Sequence, residues 1–257
     1  MTNGLIGTAL RRIRGRPTPD PGPPHPDLVE VDERDRAIIE RALPYTMTGT
    51  LRLDAVVQAV RYCERRGVPG AFAECGVWRG GSVLAMILTL QELGVDDRDI
   101  HLYDTFEGMT APGEEDTSPH EPPALETWRR AQRGDETPWG GMFEHEVFNE
   151  ESVRATLLET GYPEKRIHIV KGPIEETVPG RSPSRLALLR LDTDWYESTR
   201  HELLHLYPLL ARGGVLIIDD YGHWDGARRA VDEYFDEHAP PLLLNRIDYT
   251  GRIAVKQ

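Results

Sequence analysis

The chain reads as an α/β protein built on a doubly wound, mostly parallel sheet, and three observations predict this. First, five short apolar runs, at 71–75, 100–103, 167–170, 186–191 and 215–218, alternate with stretches of helical period at 82–93, 150–160, 195–211 and 224–238. Second, the runs are continuously apolar, as in strands covered on both faces. Third, acids close the runs repeatedly: Glu74, Asp104, Asp192, Asp219 and Asp220. That is the edge at which open α/β sheets bind ligands. Two further runs, 242–247 and 252–255, read as a closing antiparallel hairpin and bring the expected sheet to seven strands.

Composition narrows the possibilities. A length of 257 residues accommodates one large α/β domain with appendages. With 39% apolar and 28% charged residues, the chain has the make-up of a soluble globular protein. A formal net charge of −13 argues against nucleic acid as a partner, because phosphates would be repelled. The two cysteines, Cys63 and Cys75, have neither metal-ligand spacing nor the number for a disulfide framework, which fits a reducing cytoplasm. No apolar run approaches the length of a membrane span. The N-terminal apolar patch precedes Arg11, Arg12, Arg14 and Arg16. A secretory signal has the reverse order, so none is expected.

In chain order, residues 1–27 form an arm. Its prolines at 17, 19, 21, 23, 24 and 26 exclude helix and central strand, and it is expected to be a flexible tail or a basic contact for an acidic neighbour. The domain proper is 28–257. Residues 28–68 form a helical cap: one helix at 32–43, ended by Pro44, and a second at 51–66 with Leu53, Val56, Val57 and Val60 on one face and Gly67 at its end. Residues 107–149 break the alternation. They are rich in Gly, Pro and Glu and carry Trp128, Trp139, Phe143 and Phe148. An insertion of that length over the strand ends reads as a lid that touches substrate.

The chemistry begins at the turn after strand one, where Glu74, Gly76, Val77, Gly80, Gly81 and Ser82 join a strand to a helix. Gly76 lets a ligand approach the backbone. A carboxylate at Glu74 would repel a pyrophosphate and suits a cationic ligand end. The G-x-G-x-x-G dinucleotide fingerprint is absent. The E-x-G turn instead resembles the first motif of class I methyltransferases, which bind S-adenosylmethionine. Asp104, followed by Thr105, ends strand two where an acid can accept both hydroxyls of a ribose. Gly172 and Ile174 follow strand three and either flank an adenine or serve turn and packing. Asp192, Asp219 and Asp220 end two neighbouring strands, which lie about 5 Å apart, so a cation is expected to join them. Oxygen donors without His or Cys favour Mg²⁺, with Ca²⁺ or Mn²⁺ as alternatives. Asp194 is a candidate general base for a hydroxyl held by that ion, or a helix cap. His223 is a second candidate base.

Five stretches then carry a family resemblance: residues 45–49 (YTMTG), 74–82 (ECGVWRGGS), 104–108 (DTFEG), 189–199 (LRLDTDWYEST) and 213–221. The chain resembles the macrocin O-methyltransferase family, metal-dependent sugar methyltransferases of antibiotic biosynthesis. The resemblance implies a class I methyltransferase fold, S-adenosylmethionine as cofactor, and Mg²⁺ on Asp192, Asp219 and Asp220 with Asp194 as base. It implies cofactor contacts from Thr46 and Met47, and an acceptor hydroxyl on a deoxysugar of a glycosylated natural product. Homodimers or larger assemblies are also implied. Tyr45, Phe106, Glu107, Trp195 and His223 are the candidate acceptor contacts. A catechol or another small-molecule diol remains the alternative acceptor, since the same three aspartates would serve it.

Overall fold

The apolar runs pair as expected. The computed structural model describes residues 26–134, 141–144, 146–238 and 240–257; most of the expected arm, 1–25, and Trp139 lie outside them. Strands β1 (Ala71–Cys75), β2 (Ile100–Asp104), β3 (Ile167–Lys171), β4 (Leu186–Leu191) and β5 (Leu210–Ile218) are parallel. β6 (Asn245–Arg246) and β7 (Arg252–Val255) are antiparallel to each other, and β7 pairs antiparallel with β5. The order is β3-β2-β1-β4-β5-β7-β6. The chain leaves β1 toward β2 on one side and returns to β4 on the other, so a crevice opens above the carboxyl end of β1.

Eight helices are described: α1 (Glu33–Ala42), α2 (Thr50–Arg66), α3 (Gly81–Glu92), α4 (Ala124–Gln132), α5 (Glu150–Leu158), α6 (Ile174–Thr177), α7 (Tyr196–His205) and α8 (Asp225–Glu237). The apolar faces of α1, α2, α3 and α5 share one core with Phe72, Leu102, Leu188 and Ile217. Those of α6, α7 and α8 share the other with Ala73, Tyr103, Leu189 and Leu216. Successive strand residues thus feed opposite layers, as a pleat requires.

Three boundaries differ from expectation. The helix expected over 195–211 stops at His205, because Pro208 has no N–H to continue it; a 3-10 turn at Tyr207–Leu209 follows. β5 starts at Leu210 rather than Val215. A register shift between Leu186 and Leu188 lets β4 pair with both Leu210 and Val215 across Gly213–Gly214. β6 spans two residues, and Leu243 just before it is 80% exposed.

The 107–149 insertion is anchored to the sheet's upper edge. Asp116 is buried; its Oδ1 accepts the Tyr196 N–H at the start of α7 (2.8 Å) and its Oδ2 accepts the Gly113 N–H (2.7 Å). A Cβ on Gly226 would come within 1.9 Å of Asp116 Oδ1, so only glycine admits this contact in the first turn of α8. Trp195 donates its indole N–H to the Thr110 carbonyl (2.9 Å) and meets Trp224 edge to face at 5.0 Å. Ala124 and Ala227 complete a small core beneath the insertion. Asp116→Ala should therefore lower unfolding free energy by about 1–2 kcal/mol, the cost of a lost helix cap. It should also speed proteolytic cleavage between residues 107 and 134; unchanged cleavage would show that Asp116 does not hold the insertion. Among the described residues, no helix is long and apolar enough to cross a membrane.

Candidate active site

Register sets the geometry. Leu191 of β4 pairs with Ile218 of β5, so Asp192 and Asp219 leave adjacent strand tips at one level. Asp192 N–H bonds to the Cys75 carbonyl and Asp219 N–H to the Leu191 carbonyl, each at 2.9 Å. With Asp220 they offer three carboxylate oxygens within 4.8 Å of one another. Carboxylates this close and this sheltered raise one another's affinity for protons. Burial first, and their acidic neighbours second, push Asp192 and Asp220 well above the usual carboxylate range.

Beneath the cluster lies Arg190, a charge inside an otherwise apolar strand, buried to 1% exposure. Its Nη1 donates to Glu74 Oε1 (2.5 Å) and Asp192 Oδ2 (2.6 Å), and its Nη2 to Asp219 Oδ1 (2.5 Å). A buried guanidinium needs paired charges, and here the two Nη groups of one cation tie three strand ends together while Nε is left without a hydrogen bond. Glu74 is therefore turned toward Arg190 rather than toward a ligand. Burial raises its pKa to about 7 even with Arg190 pulling the other way. From above, Arg52 in the first turn of α2 donates to Asp219 Oδ2, and its Nε lies 3.2 Å from Asp248 Oδ2.

The cluster lines a cavity of about 300 Å³. Gly76, Val77, Asp104, Thr105, Gly172 and Ile174 also line it, with Thr46 and Met47 from the loop before α2. Gly76 has φ +79°, and a Cβ there would meet the Asp192 carbonyl at 1.9 Å. The glycine thus serves two ends: it lets β4 close against the turn and leaves bare backbone at the cavity wall. Asp104 lines the cavity but also braces this turn. Its Oδ2 accepts the Val77 and Trp78 N–H groups (2.6 and 3.0 Å) and its Oδ1 that of Phe106 (2.8 Å).

Asp194 lines the same cavity beside the cluster. Its φ of +67° places it in the left-handed region, a conformation that Asp tolerates better than most residues and that recurs at functional sites. Trp224 Nε1 donates to its Oδ1 at 2.9 Å, leaving Oδ2 open. Burial, with Asp219, Glu121 and Asp116 nearby, lifts Asp194 to about 7. His223 also lines the cavity; its Nδ1 lies 3.0 Å from Tyr249 Oη and its Nε2 3.2 Å from Glu121 Oε1.

Six sequence candidates do not line the cavity. Glu74 is behind its floor, on Arg190, with Ser82 as a buried neighbour. Phe106 is buried against Phe148, and Trp195 is buried under the insertion. Glu107 pairs with Lys171 at the surface (2.8 Å), and the Tyr45 ring lies beneath the Arg79 guanidinium at 5.5 Å. Conversely, Phe143 of the expected lid lines the cavity, and so do Arg52, Trp78, Glu121, Trp224 and Tyr249, for which no role was expected from the sequence. Arg190 had a legible signal, since an arginine inside an apolar strand demands buried acids. For Arg52 the signal was absent, because first-turn arginines are usually solvated.

Comparison with known proteins decides the family. The profile described as Macrocin-O-methyltransferase (TylF) matches residues 24–255. The chain belongs to the macrocin O-methyltransferase family. As a macrocin-type O-methyltransferase, it is 34% identical over 213 residues to an 8-demethyl-8-(2,3-dimethoxy-alpha-L-rhamnosyl)-tetracenomycin-C 4'-O-methyltransferase of Streptomyces olivaceus. That match covers 82% of this chain and 75% of the relative. It is 32% identical over 215 residues to a mycinamicin III 3''-O-methyltransferase of Micromonospora griseorubida, covering 80% and 76%. The solved O-methyltransferase NovP superposes with a TM-score of 0.68 at 31% identity over 82% of each chain. The sheet is thus that of a class I O-methyltransferase, as the turn at Glu74–Gly76 led us to expect.

Proposed function

We propose that this macrocin-type enzyme methylates one hydroxyl of a deoxysugar on a glycosylated small molecule of antibiotic biosynthesis, using S-adenosylmethionine and a divalent cation, foremost Mg²⁺. The observation that carries the reading is Asp194 Oδ2, open, in the same cavity as the Asp192–Asp219–Asp220 cluster and the Gly76 turn. Supporting it further, the named acceptors of two relatives are a rhamnosyl tetracenomycin and mycinamicin III.

The donor set fits a hard cation: three carboxylate oxygens, sheltered and mutually repelling, with no sulfur or imidazole among them. Bound there, such an ion would lower the pKa of an acceptor hydroxyl and, with S-adenosylmethionine present, leave the methyl group as the electrophile. Thr46, Met47, Gly76, Asp104, Gly172 and Ile174 would hold the cofactor. Asp194 would take the hydroxyl proton on Oδ2 while Trp224 fixes Oδ1, and the cofactor held by those residues would supply the methyl group that the hydroxyl oxygen receives. Asp116, Trp195 and Trp224 keep the insertion over the cavity, which excludes water and aligns the acceptor, a large contribution to such transfers.

Transfer of labelled methyl to a deoxysugar glycoside, with and without chelator, tests the reading. Activity should fall to background in excess EDTA and return with Mg²⁺; full activity in chelator would remove the ion from the mechanism. A catechol acceptor is the second reading, favoured by Trp78, Phe143 and Trp224 in the cavity wall, which could clasp a flat ring. A higher kcat/KM for catechols than for glycosides would select it. We further propose a homodimer or larger assembly working in the cytoplasm, checked by light scattering of the purified protein; a monomer at all concentrations would overturn the assembly.

A further inference from the structure

Asp219 is the most heavily engaged acid of the cluster. Both of its oxygens accept a guanidinium: Oδ1 from Arg190 (2.5 Å) and Oδ2 from Arg52. Whichever oxygen a cation were to take, an arginine is already on it. The two arginines are not equivalent. Arg190 stems from β4, is buried to 1% exposure and is held by three carboxylates at once. It has nowhere to go. Arg52 is on the cavity side, its side chain 16% exposed, and forms a second ion pair, its Nε 3.2 Å from Asp248 Oδ2 but not hydrogen-bonded to it. It can release Asp219 and keep an ion pair.

We propose that Arg52 is a built-in competitor for the divalent cation: its guanidinium neutralises Asp219 until the cation arrives, then withdraws onto Asp248. The inference rests on the proposed cation site. Its physical basis is the repulsion described above. Three clustered carboxylates and Asp194, with Arg190 as the buried counter-charge, leave an excess of negative charge in a sheltered place. A mobile guanidinium offsets that excess without closing the site permanently, because an arginine on a long stem exchanges its partner at little cost. Asp248 is built to receive it. Its Oδ1 is committed to the Thr250 and Gly251 N–H groups (2.9 and 2.6 Å), which fixes the carboxylate so that Oδ2 faces Arg52.

Calorimetric titration of Mg²⁺ into the full-length protein, without cofactor or acceptor, tests this. Arg52→Gln removes the competing charge and should tighten Mg²⁺ binding by roughly tenfold, the worth of one charge-assisted hydrogen bond. Asp248→Asn keeps the Oδ1 acceptor but weakens the alternative berth. It should loosen Mg²⁺ binding a fewfold in the native background and have no effect once Arg52 is gone. That dependence would not arise from a merely structural role. Unchanged or weaker binding in Arg52→Gln, with the circular-dichroism spectrum intact, would overturn the proposal while leaving the cation site standing. Absence of Mg²⁺ binding in both native protein and variant would overturn the cation site and this proposal together. Should Arg52→Gln fail to fold, Arg52→Lys, whose ammonium cannot engage Asp219 and Asp248 together through a fork, must still alter the Mg²⁺ affinity for the proposal to hold.

Discussion

Asp194→Asn is expected to lower kcat by about 10²–10⁴-fold, the usual worth of a general base. Cofactor affinity should change by less than about threefold, because the residue meets the acceptor rather than the methyl donor. The amide keeps the shape and can still accept the Trp224 indole N–H through Oδ1, so the loop at φ +67° need not move. What disappears is the acceptor for the proton. The pH profile separates this from a positional effect. Burial lifts Asp194 to about 7, and its ionised form is the active one, so native activity should rise with pH through the neutral range and level off above it. A cation beside it favours the ionised form, so saturating Mg²⁺ should move that rise to lower pH. Asp194→Asn should lack the rise. Turnover within a fewfold of native would acquit Asp194 and direct attention to His223.

The second large effect concerns stability. Arg190→Met should cost about 3–5 kcal/mol of unfolding free energy, because Glu74 and Asp192 then lose their paired cation and Asp219 keeps only Arg52. Its sign with pH follows from Glu74. The folded pKa of Glu74 is raised from 4.5 to about 7, so the fold prefers the protonated form. The favourable contribution of that proton is complete below about 4.5 and is lost as pH climbs toward 7. Without Arg190 the preference for the proton strengthens and the window of loss extends upward. Urea unfolding at pH 5 and pH 8 should therefore show a larger deficit at pH 8. Equal deficits would mean that the loss is one of packing alone. Arg190→Lys, which keeps the charge but not the forked geometry, should fall between native and Met.

How far the sequence leads can be judged residue by residue. The apolar runs defined the strands because burial on both faces leaves little choice of residue, and four of the acids at their ends, Asp104, Asp192, Asp219 and Asp220, line the cavity, whereas Glu74 is held by Arg190. Asp192, Asp219 and Asp220 were legible from that position. The side-chain commitments were not. Glu74 has the composition of a ligand contact, yet Arg190 sits two residues before Asp192 on the next strand, and only cross-strand pairing reveals that the two are partners. Phe106 and Trp195 were expected to contact the acceptor, but burying their apolar area outweighs display, and both lie in the core. Arg52 depends on a contact 167 residues away, which no local pattern encodes. The end of α7 was legible in hindsight from Pro208; the early start of β5 needed the register of its neighbour.

The closing hairpin has a role beyond completing the sheet. Thr250 Oγ1 donates to the Asp219 carbonyl at 2.5 Å and the Thr250 carbonyl accepts the Gly222 N–H at 2.9 Å, while Arg52 reaches Asp219 from near the other end of the chain. The cavity is thus a keystone: it comes into being only when α2 and the closing hairpin, far apart along the chain, meet at Asp219. A molecule that fills it binds the finished fold alone, so occupancy feeds directly into resistance to unfolding. Within the cell, supply of such a molecule would lengthen the enzyme's lifetime as well as occupy it.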